Sequence, residues 1–396
     1  MSKEEKLKKI ENLKRQASDL KGEVEYYNAL QLALKLVLNG SYGAFAAPYF
    51  ILFNNYVAGT ITAEGRNLTQ TMNKVNEDYW YNQWHLDTEL HQAMNLKNVT
   101  PIPRSEEVSI YADTDSLFVS FKPAMEHCEW KHQYSSELDF IHALDKHRYA
   151  GYFKKCLDEH AATYGVENKQ DFELERISES IISIAKKKYI QHIVYEDGIP
   201  YDRMSYIFPK GVELVRSSTP LFARDKIINI VKYLFEHPDS FNIKELLRLV
   251  KNLKKEFDLC VPDRIDEICM QSSCSKYGEK VLNDKTKLEF VNGSHFAVKA
   301  SAYHNYLLHK NKGLQNKYEF IKSGDKIKYY YCKDKSVNEV FAFIRGSYPI
   351  EMAPEIDLDT QFEKCILSPI NSIIEPLGMP LITKRLSVVL DIFSGF

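Results

Sequence analysis

The sequence has no Cys-x-x-Cys pair. Its seven cysteines are scattered, and the closest grouping, Cys260, Cys269 and Cys274, lacks zinc-knuckle spacing. A zinc-ribbon or disulfide framework is therefore not indicated, and the thiols read as reduced, buried groups of a cytoplasmic protein. His127, Cys128 and His132 stand close together, but no second pair of ligands follows them. No run of about 18 apolar residues exists, which speaks against a membrane span. The segment Met1-Ser2-Lys3-Glu4-Glu5 is charged where a secretory signal is apolar, so export is not supported. Internal repeats and low-complexity blocks are also missing. What remains is an ordinary globular composition, 44% hydrophobic and 27% charged, over 396 residues, enough for two or three domains.

A net charge of −2 does not advertise nucleic-acid binding. Its distribution says more. Between Lys299 and Lys335 nine lysines face three acids, Glu319, Asp325 and Asp334, a surplus of six, with tyrosines and histidines interleaved. Such a stretch suits phosphate tracking, and equally a solvated lysine-rich face.

Along the chain, residues 2 to 43 read as helix, with Glu4/Lys8 and Glu5/Lys9 in the favourable i,i+4 order and an apolar stripe of Leu30, Leu34, Val37 and Leu38. A second helix is expected from about Thr62 to Trp84, and a third helical stretch from Ser136 to Tyr164. The clearest strand signal is Val108 to Ala112, then Asp113-Thr114-Asp115-Ser116, then Leu117 to Phe121. It reads as a hairpin with Val108, Ile110 and Ala112 on one face and an acidic tip. A strand pair is also expected, Ile181–Ile184 before Lys186 and Tyr189–Tyr195 after it, with Asp197-Gly198 as the turn. Helices dominate after Thr219, broken by a β-prone basic patch at Lys326–Tyr331. Strands in the middle and helices at both ends make the expected fold class α+β.

Two constellations carry chemistry. Asp113 and Asp115, two residues apart on a hairpin, form a cradle suited to a hard divalent cation such as Mg²⁺, although Asp and Ser are also ordinary turn residues. Lys35, Asn39 and Tyr42 lie at i, i+4 and i+7 and so share one helix face. They offer an ammonium for a triphosphate, an amide and an aromatic ring, and Gly43 leaves room for a nucleobase. A merely amphipathic helix with a solvated lysine would look the same.

Together these motifs resemble a specific family. Lys35-x-x-x-Asn39-Gly40-Ser41-Tyr42-Gly43 is similar to the fingers motif of family B DNA polymerases, usually Lys-x-x-x-Asn-Ser-x-Tyr-Gly. Tyr111-Ala112-Asp113-Thr114-Asp115-Ser116 is similar to their palm motif, usually Tyr-Gly-Asp-Thr-Asp-Ser. Lys186-Lys187-Lys188-Tyr189 resembles the basic-aromatic palm motif at the primer end, and Lys210-Gly211 through Thr219-Pro220 the segment leading into the thumb. The end of the chain, with Phe362-Glu363-Lys364 and the apolar Leu390, Ile392, Phe393 and Phe396, is similar to the thumb and sliding-clamp tail of T-even-phage-type enzymes.

The resemblance implies an antiparallel palm sheet flanked by fingers helices and a helical thumb: distal fingers over 1–60, palm over 61–215, thumb over 216–386 and a clamp-binding tail over 387–396. It implies two Mg²⁺ ions, with Asp115 as the catalytic, metal-ligating carboxylate and Asp113 as its supporting neighbour. Lys35 would meet the triphosphate of the incoming dNTP, with Asn39, Tyr42 and Gly43 at the nucleotide. Lys186, Lys187, Lys188 and Tyr189, and Arg216, Ser217, Ser218 and Thr219, would hold primer-template DNA. Gly40 and Ala112 depart from the usual serine and glycine without removing a ligand; rate or fidelity is what they put in question.

One part of the pattern is missing. Two-metal phosphoryl transfer needs a clamp of carboxylates around ions about 3.5–4 Å apart. The family takes one essential aspartate from an Asp-x-x-Ser-Leu-Tyr-Pro-Ser-like motif upstream of the fingers, and neither that motif nor the acidic motifs of the proofreading exonuclease occur here. The expectation is a split, viral, replicative polymerase working in the host cytoplasm. An amino-terminal chain would supply the missing aspartate, the remaining fingers and any exonuclease. The rival reading is a non-catalytic DNA-binding accessory subunit or degenerate fragment; retention of Asp113, Asp115, Lys35 and Tyr42 argues against decay. A reverse-transcriptase-like palm would want adjacent aspartates, and Thr114 separates them here.

Overall fold

The computed structural model describes residues 3–201, 206–212, 218–238 and 240–388, in two compact units, Met1–Leu174 and Glu175–Phe396. The first unit opens with one unbroken helix, α1 (Lys3–Phe45), which runs through Gly22, Gly40 and Gly43. At 1.5 Å per residue it is about 65 Å long. From Glu5 to Gly43 every described side chain is exposed, the expected stripe of Leu30, Leu34, Val37 and Leu38 included. The Asn54 N–H donates to the Phe45 carbonyl at 2.9 Å and closes the turn into α2 (Asn55–Asp78). That helix starts seven residues earlier than the apolar pattern suggests because Asn54 caps it: its Oδ1 accepts from the amides of Tyr56 and Val57 at 3.0 and 3.1 Å.

Beyond Asp78 the helix loosens into a π turn (Tyr79–Gln83) and a 3₁₀ turn (Trp84–Leu86), whose Tyr79, Trp80 and Trp84 are fully buried. Edge-on and tilted contacts join them to Phe121, Tyr149 and Tyr152, an aromatic core that fixes the far end of α2. Met72 of α2 packs with Phe153 and Leu157 of α3 (Ala150–Thr163). Leu117 of the acidic hairpin lies against the same cluster.

The second unit carries a long antiparallel hairpin, β3 (Arg176–Ala185) and β4 (Lys188–Glu196). On the other edge of β4 lies β5 (Ile207–Lys210), which brings Lys210 opposite Tyr189. Asp197 and Gly198, both at positive φ (47° and 87°), turn β4 back onto Ile199–Pro200. Two amphipathic helices follow, α4 (Leu221–Glu236) and α5 (Ile243–Asp258). The stripe Leu246, Val250, Leu253 and Phe257 of α5 is buried at helical spacing. A three-stranded antiparallel sheet has β7 (Lys326–Tyr331) at its centre, between β6 (Met270–Ser273) and β8 (Val340–Ile344). Helix α6 (Phe296–Lys310) packs on β8 and is buried along nearly its whole length. Antiparallel sheets with attached helices agree with the expected α+β class. All seven cysteines are free, and five of them are buried.

Candidate functional site

The acidic motif folds as the expected hairpin, β1 (Ser109–Asp113) and β2 (Ser116–Val119), in antiparallel register with Asp113 opposite Ser116. Its inward face is not the one the alternation suggests. The register slips between Ser109 and Tyr111, a bulge that reverses the phase of the strand. Val108 is buried, but Ile110 (44% exposed) and Ala112 point to solvent, while Ser109, Tyr111 and Asp113 take the half-buried face. Asp113 is thereby half-buried and Asp115, past the turn, is exposed.

The two-residue turn is tightly tied. The Asp115 N–H donates to the Asp113 carbonyl at 2.6 Å, Thr114 Oγ1 to Asp113 Oδ1 at 3.1 Å, and Ser116 Oγ to the Asp113 carbonyl at 3.1 Å. Thr114 sits at φ +56°, the left-handed region that a β-branched residue rarely adopts. Helix α2 backs the hairpin at two points. Thr69 Oγ1 donates to the Thr114 carbonyl at 2.6 Å, and Asn76 Nδ2 to Ser109 Oγ at 2.7 Å. Asn76 is wholly buried; its Oδ1 accepts from Trp80 Nε1 at 2.9 Å and from the Tyr149 hydroxyl. Neither Thr69 nor Asn76 carries a signal in the sequence, since the hairpin partner of each is more than 30 positions away.

Two hard oxygen donors on a held turn fit part of a Mg²⁺ coordination shell, and that fit depends on the donor set alone. No group of three or more His, Cys, Asp or Glu that could hold a metal occurs among the described residues. Among the described residues the hairpin presents two carboxylates, Asp113 and Asp115, that could take part in holding a cation. His127, Cys128 and His132 have other partners: His127 meets Thr100 Oγ1 (2.8 Å) and Glu106 (3.0 Å), Cys128 Sγ donates to the Ala124 carbonyl, and His132 meets the Asn95 carbonyl.

Lys35, Asn39 and Tyr42 lie exposed on α1, with Gly43 one residue on. Gly40 does not break the helix, and Ser41 Oγ donates to the Val37 carbonyl at 2.9 Å. This helix end and the acidic hairpin belong to the same unit, and α2 packs against both.

In the second unit Lys186 and Lys187 form the β3–β4 turn, exposed together with Lys188, and Lys187 takes φ +62°. Tyr189 is buried (4% exposed), with Lys210 Nζ 5.5 Å from its ring centroid. Gly211, at φ +68°, passes so close that a Cβ there would lie 2.0 Å from the Lys187 carbonyl oxygen. Only glycine fits. The lysine turn and the Lys210-Gly211 segment are thus one structure. Ser218 is exposed and its carbonyl accepts from the Gln271 amide, whereas Thr219 is buried. Arg216 and Ser217 lie outside the described residues, as do Leu390, Ile392, Phe393 and Phe396.

The lysine-rich stretch looks different in three dimensions. Lys328 is buried against Asp266, Lys317 pairs with Glu351, Lys333 with Glu355 (2.6 Å) and Lys335 with Asp357 (3.6 Å). Lys317 and the Tyr318 hydroxyl hold the Glu351 carboxyl down at about 2. Acids from positions 351–357 therefore offset much of the local surplus that the sequence displays.

An acidic hairpin tip backed by a helix, in a chain with a lysine–tyrosine helix face, suits the handling of phosphates and a divalent cation. The model of DNA polymerase family B matches residues 4–131 and 152–377, and the chain belongs to that family. It is 26% identical over 357 residues to the DNA polymerase catalytic subunit of Human herpesvirus 7, covering 88% of this chain and 32% of that protein. It is 39% identical over 94 residues to the DNA polymerase catalytic subunit of Gallid herpesvirus 2, covering 23% of this chain and 7% of that protein. With DNA polymerase 1 of Aeropyrum pernix the identity is 23% over 335 residues, 84% of this chain and 26% of the relative. The chain spans about a third or less of the length of these relatives. No helix among the described residues is long and apolar enough to cross a membrane.

Proposed function

We propose that this chain is the carboxy-terminal part of a DNA-directed DNA polymerase that adds dNTPs to a primer 3′ end. A separate amino-terminal polypeptide would complete the site, bringing the opposing carboxylate and the rest of the fingers. The observation that carries this reading is the pair Asp113 and Asp115 on a turn held by α2, in a family B chain whose described residues contain no third ligand nearby.

Two Mg²⁺ ions would supply charge neutralisation for the attacking and leaving oxygens when bound. This chain's own residues do the rest. Asp115, exposed at the tip, and Asp113 beside it would hold cation oxygen contacts in one fixed geometry, so little reorganisation is needed when substrate arrives. Lys35 would meet the triphosphate, Asn39 would hydrogen-bond beside it, and Tyr42 with Gly43 would form one wall of the nucleobase pocket. Lys186, Lys187 and Lys188 would track primer phosphates, with Tyr189 and Gly211 shaping the turn that presents them. Residues 1–60, 61–215 and 216–386 would serve as fingers, palm and thumb, and residues 387–396 as a sliding-clamp tail of the T-even-phage type.

Two features support a missing complement. Among the described residues the acidic hairpin is a two-stranded sheet covered on one face by α2, and its other face leaves Ile110 exposed. Exposed apolar side chains also occur on several sides of α1 over residues 29–38 and recur at Tyr49, Phe50, Ile51, Leu52 and Phe53.

The test is Asp115→Ala in the assembled enzyme. Primer extension should fall by at least about a thousandfold, as expected when a metal-holding carboxylate is lost, while primer-template binding stays within about twofold. Unchanged extension would favour a non-catalytic, DNA-binding role.

A further inference from the structure

We infer that Thr69 is a positioning residue for the acidic pair, locking the hairpin turn through the backbone of Thr114. This rests on the reading of Asp113 and Asp115 as the cation-holding pair.

The Thr69 hydroxyl has one proton and two acceptors in reach: the Gly65 carbonyl of its own helix at 3.0 Å and the Thr114 carbonyl at 2.6 Å. Within an isolated helix a threonine hydroxyl turns back to the i−4 carbonyl. Here the shorter contact leads off the helix to the hairpin tip. The carbonyl it reaches belongs to the residue between the two aspartates, at φ +56°. That conformation disfavours threonine and persists only where the surroundings hold it.

Rotation of the 114–115 peptide would swing Asp115 relative to Asp113, because the Asp115 N–H closes the turn onto the Asp113 carbonyl at 2.6 Å. A donor fixed on α2 opposes that rotation. Asn76, two helical turns further along the same face, holds the base of β1 through Ser109, so α2 grips the hairpin at both ends. Thr69 is 9% exposed. Its hydroxyl donates to the Thr114 carbonyl, and its effect on the carboxylates passes through that backbone.

The experiment compares Thr69→Ala with Thr69→Ser in the full chain. Both remove the methyl group and only alanine removes the hydroxyl, while alanine also favours the helix, so α2 should still form. Amide hydrogen exchange of the peptide covering residues 108–121 should quicken about fivefold in Thr69→Ala, the factor expected for one net hydrogen bond, and stay near wild type in Thr69→Ser. In the assembled enzyme Thr69→Ala should lower kcat and raise the Mg²⁺ concentration for half-maximal rate. The KM for dNTP should be unchanged, and Thr69→Ser should restore both quantities. Equal exchange in the two variants would overturn the inference, whatever the enzyme does. Faster exchange in alanine alone, with wild-type enzyme that extends no primer, would keep the hairpin lock and sink the polymerase reading instead. Should Thr69→Ala fail to fold while Thr69→Ser folds with wild-type exchange, a specific turn lock is replaced by a general structural role, and the inference fails.

Discussion

Residues 29–38 of α1 and helix α6 both carry apolar side chains on several sides, and their surroundings are opposite. Ten residues of α6 are buried, His304 and Leu308 among them, because β8 and the core of the second unit close around it. Leu30, Leu34, Val37 and Leu38 of α1 stand 43–71% exposed. A helix that is apolar all round belongs in an interior. The interior of α6 is encoded in this chain; that of α1 is not found among the described residues. Under the reading proposed above, the difference marks where a partner surface would cover the helix that carries Lys35, Asn39 and Tyr42.

The sharpest way to break the comparison is to place one charge on each helix. Leu308→Lys buries an unpaired ammonium in α6 and should cost about 4 kcal/mol or more in urea unfolding of the chain. Leu34→Lys on α1 should change the same quantity by less than about 0.5 kcal/mol, yet weaken association with the amino-terminal polypeptide proposed above. Equal costs would mean that α1 is already covered in solution. Next in size is Gly211→Ala. It forces a Cβ against the Lys187 carbonyl at a positive φ, and about 3 kcal/mol of destabilisation is expected, read by the same unfolding curves.

A smaller effect comes from His304 within α6. Burial lowers its pKa below the ordinary 6.5, and its two ring nitrogens face the carbonyls of Ala342 and Glu319, each at 3.1 Å. Below pH 6.5 the unfolded chain binds a proton at this position that the folded chain resists. Its contribution is therefore present above that pH and is lost as pH falls. The fall in Tm between pH 7.5 and about pH 5.5 should be shallower in His304→Gln than in wild type; identical slopes would remove His304 as the cause.

Much of this fold was legible in the sequence wherever the signal is local. Asp113 to Ser116 announces its turn, Lys326–Tyr331 its strand, and Ser136 to Tyr164 its helical stretch, capped by Ser136 as its residue type suggests. Illegible features depend on partners distant in the chain. The bulge that turns Ile110 and Ala112 outward depends on pairing with β2 and packing on α2. Lysines 317, 333 and 335 look like a basic tract until Glu351, Glu355 and Asp357 fold back onto them. In the site, motif spacing pointed to Asp113, Asp115 and the α1 residues; Thr69 and Asn76 escaped because a hydroxyl and an amide on a polar helix look ordinary until the hairpin lies on them.

The split-site account is tested most directly by primer extension in Mg²⁺, with this chain alone, the amino-terminal polypeptide alone, and the two mixed. The account predicts extension only in the mixture. Robust extension by this chain alone would contradict it.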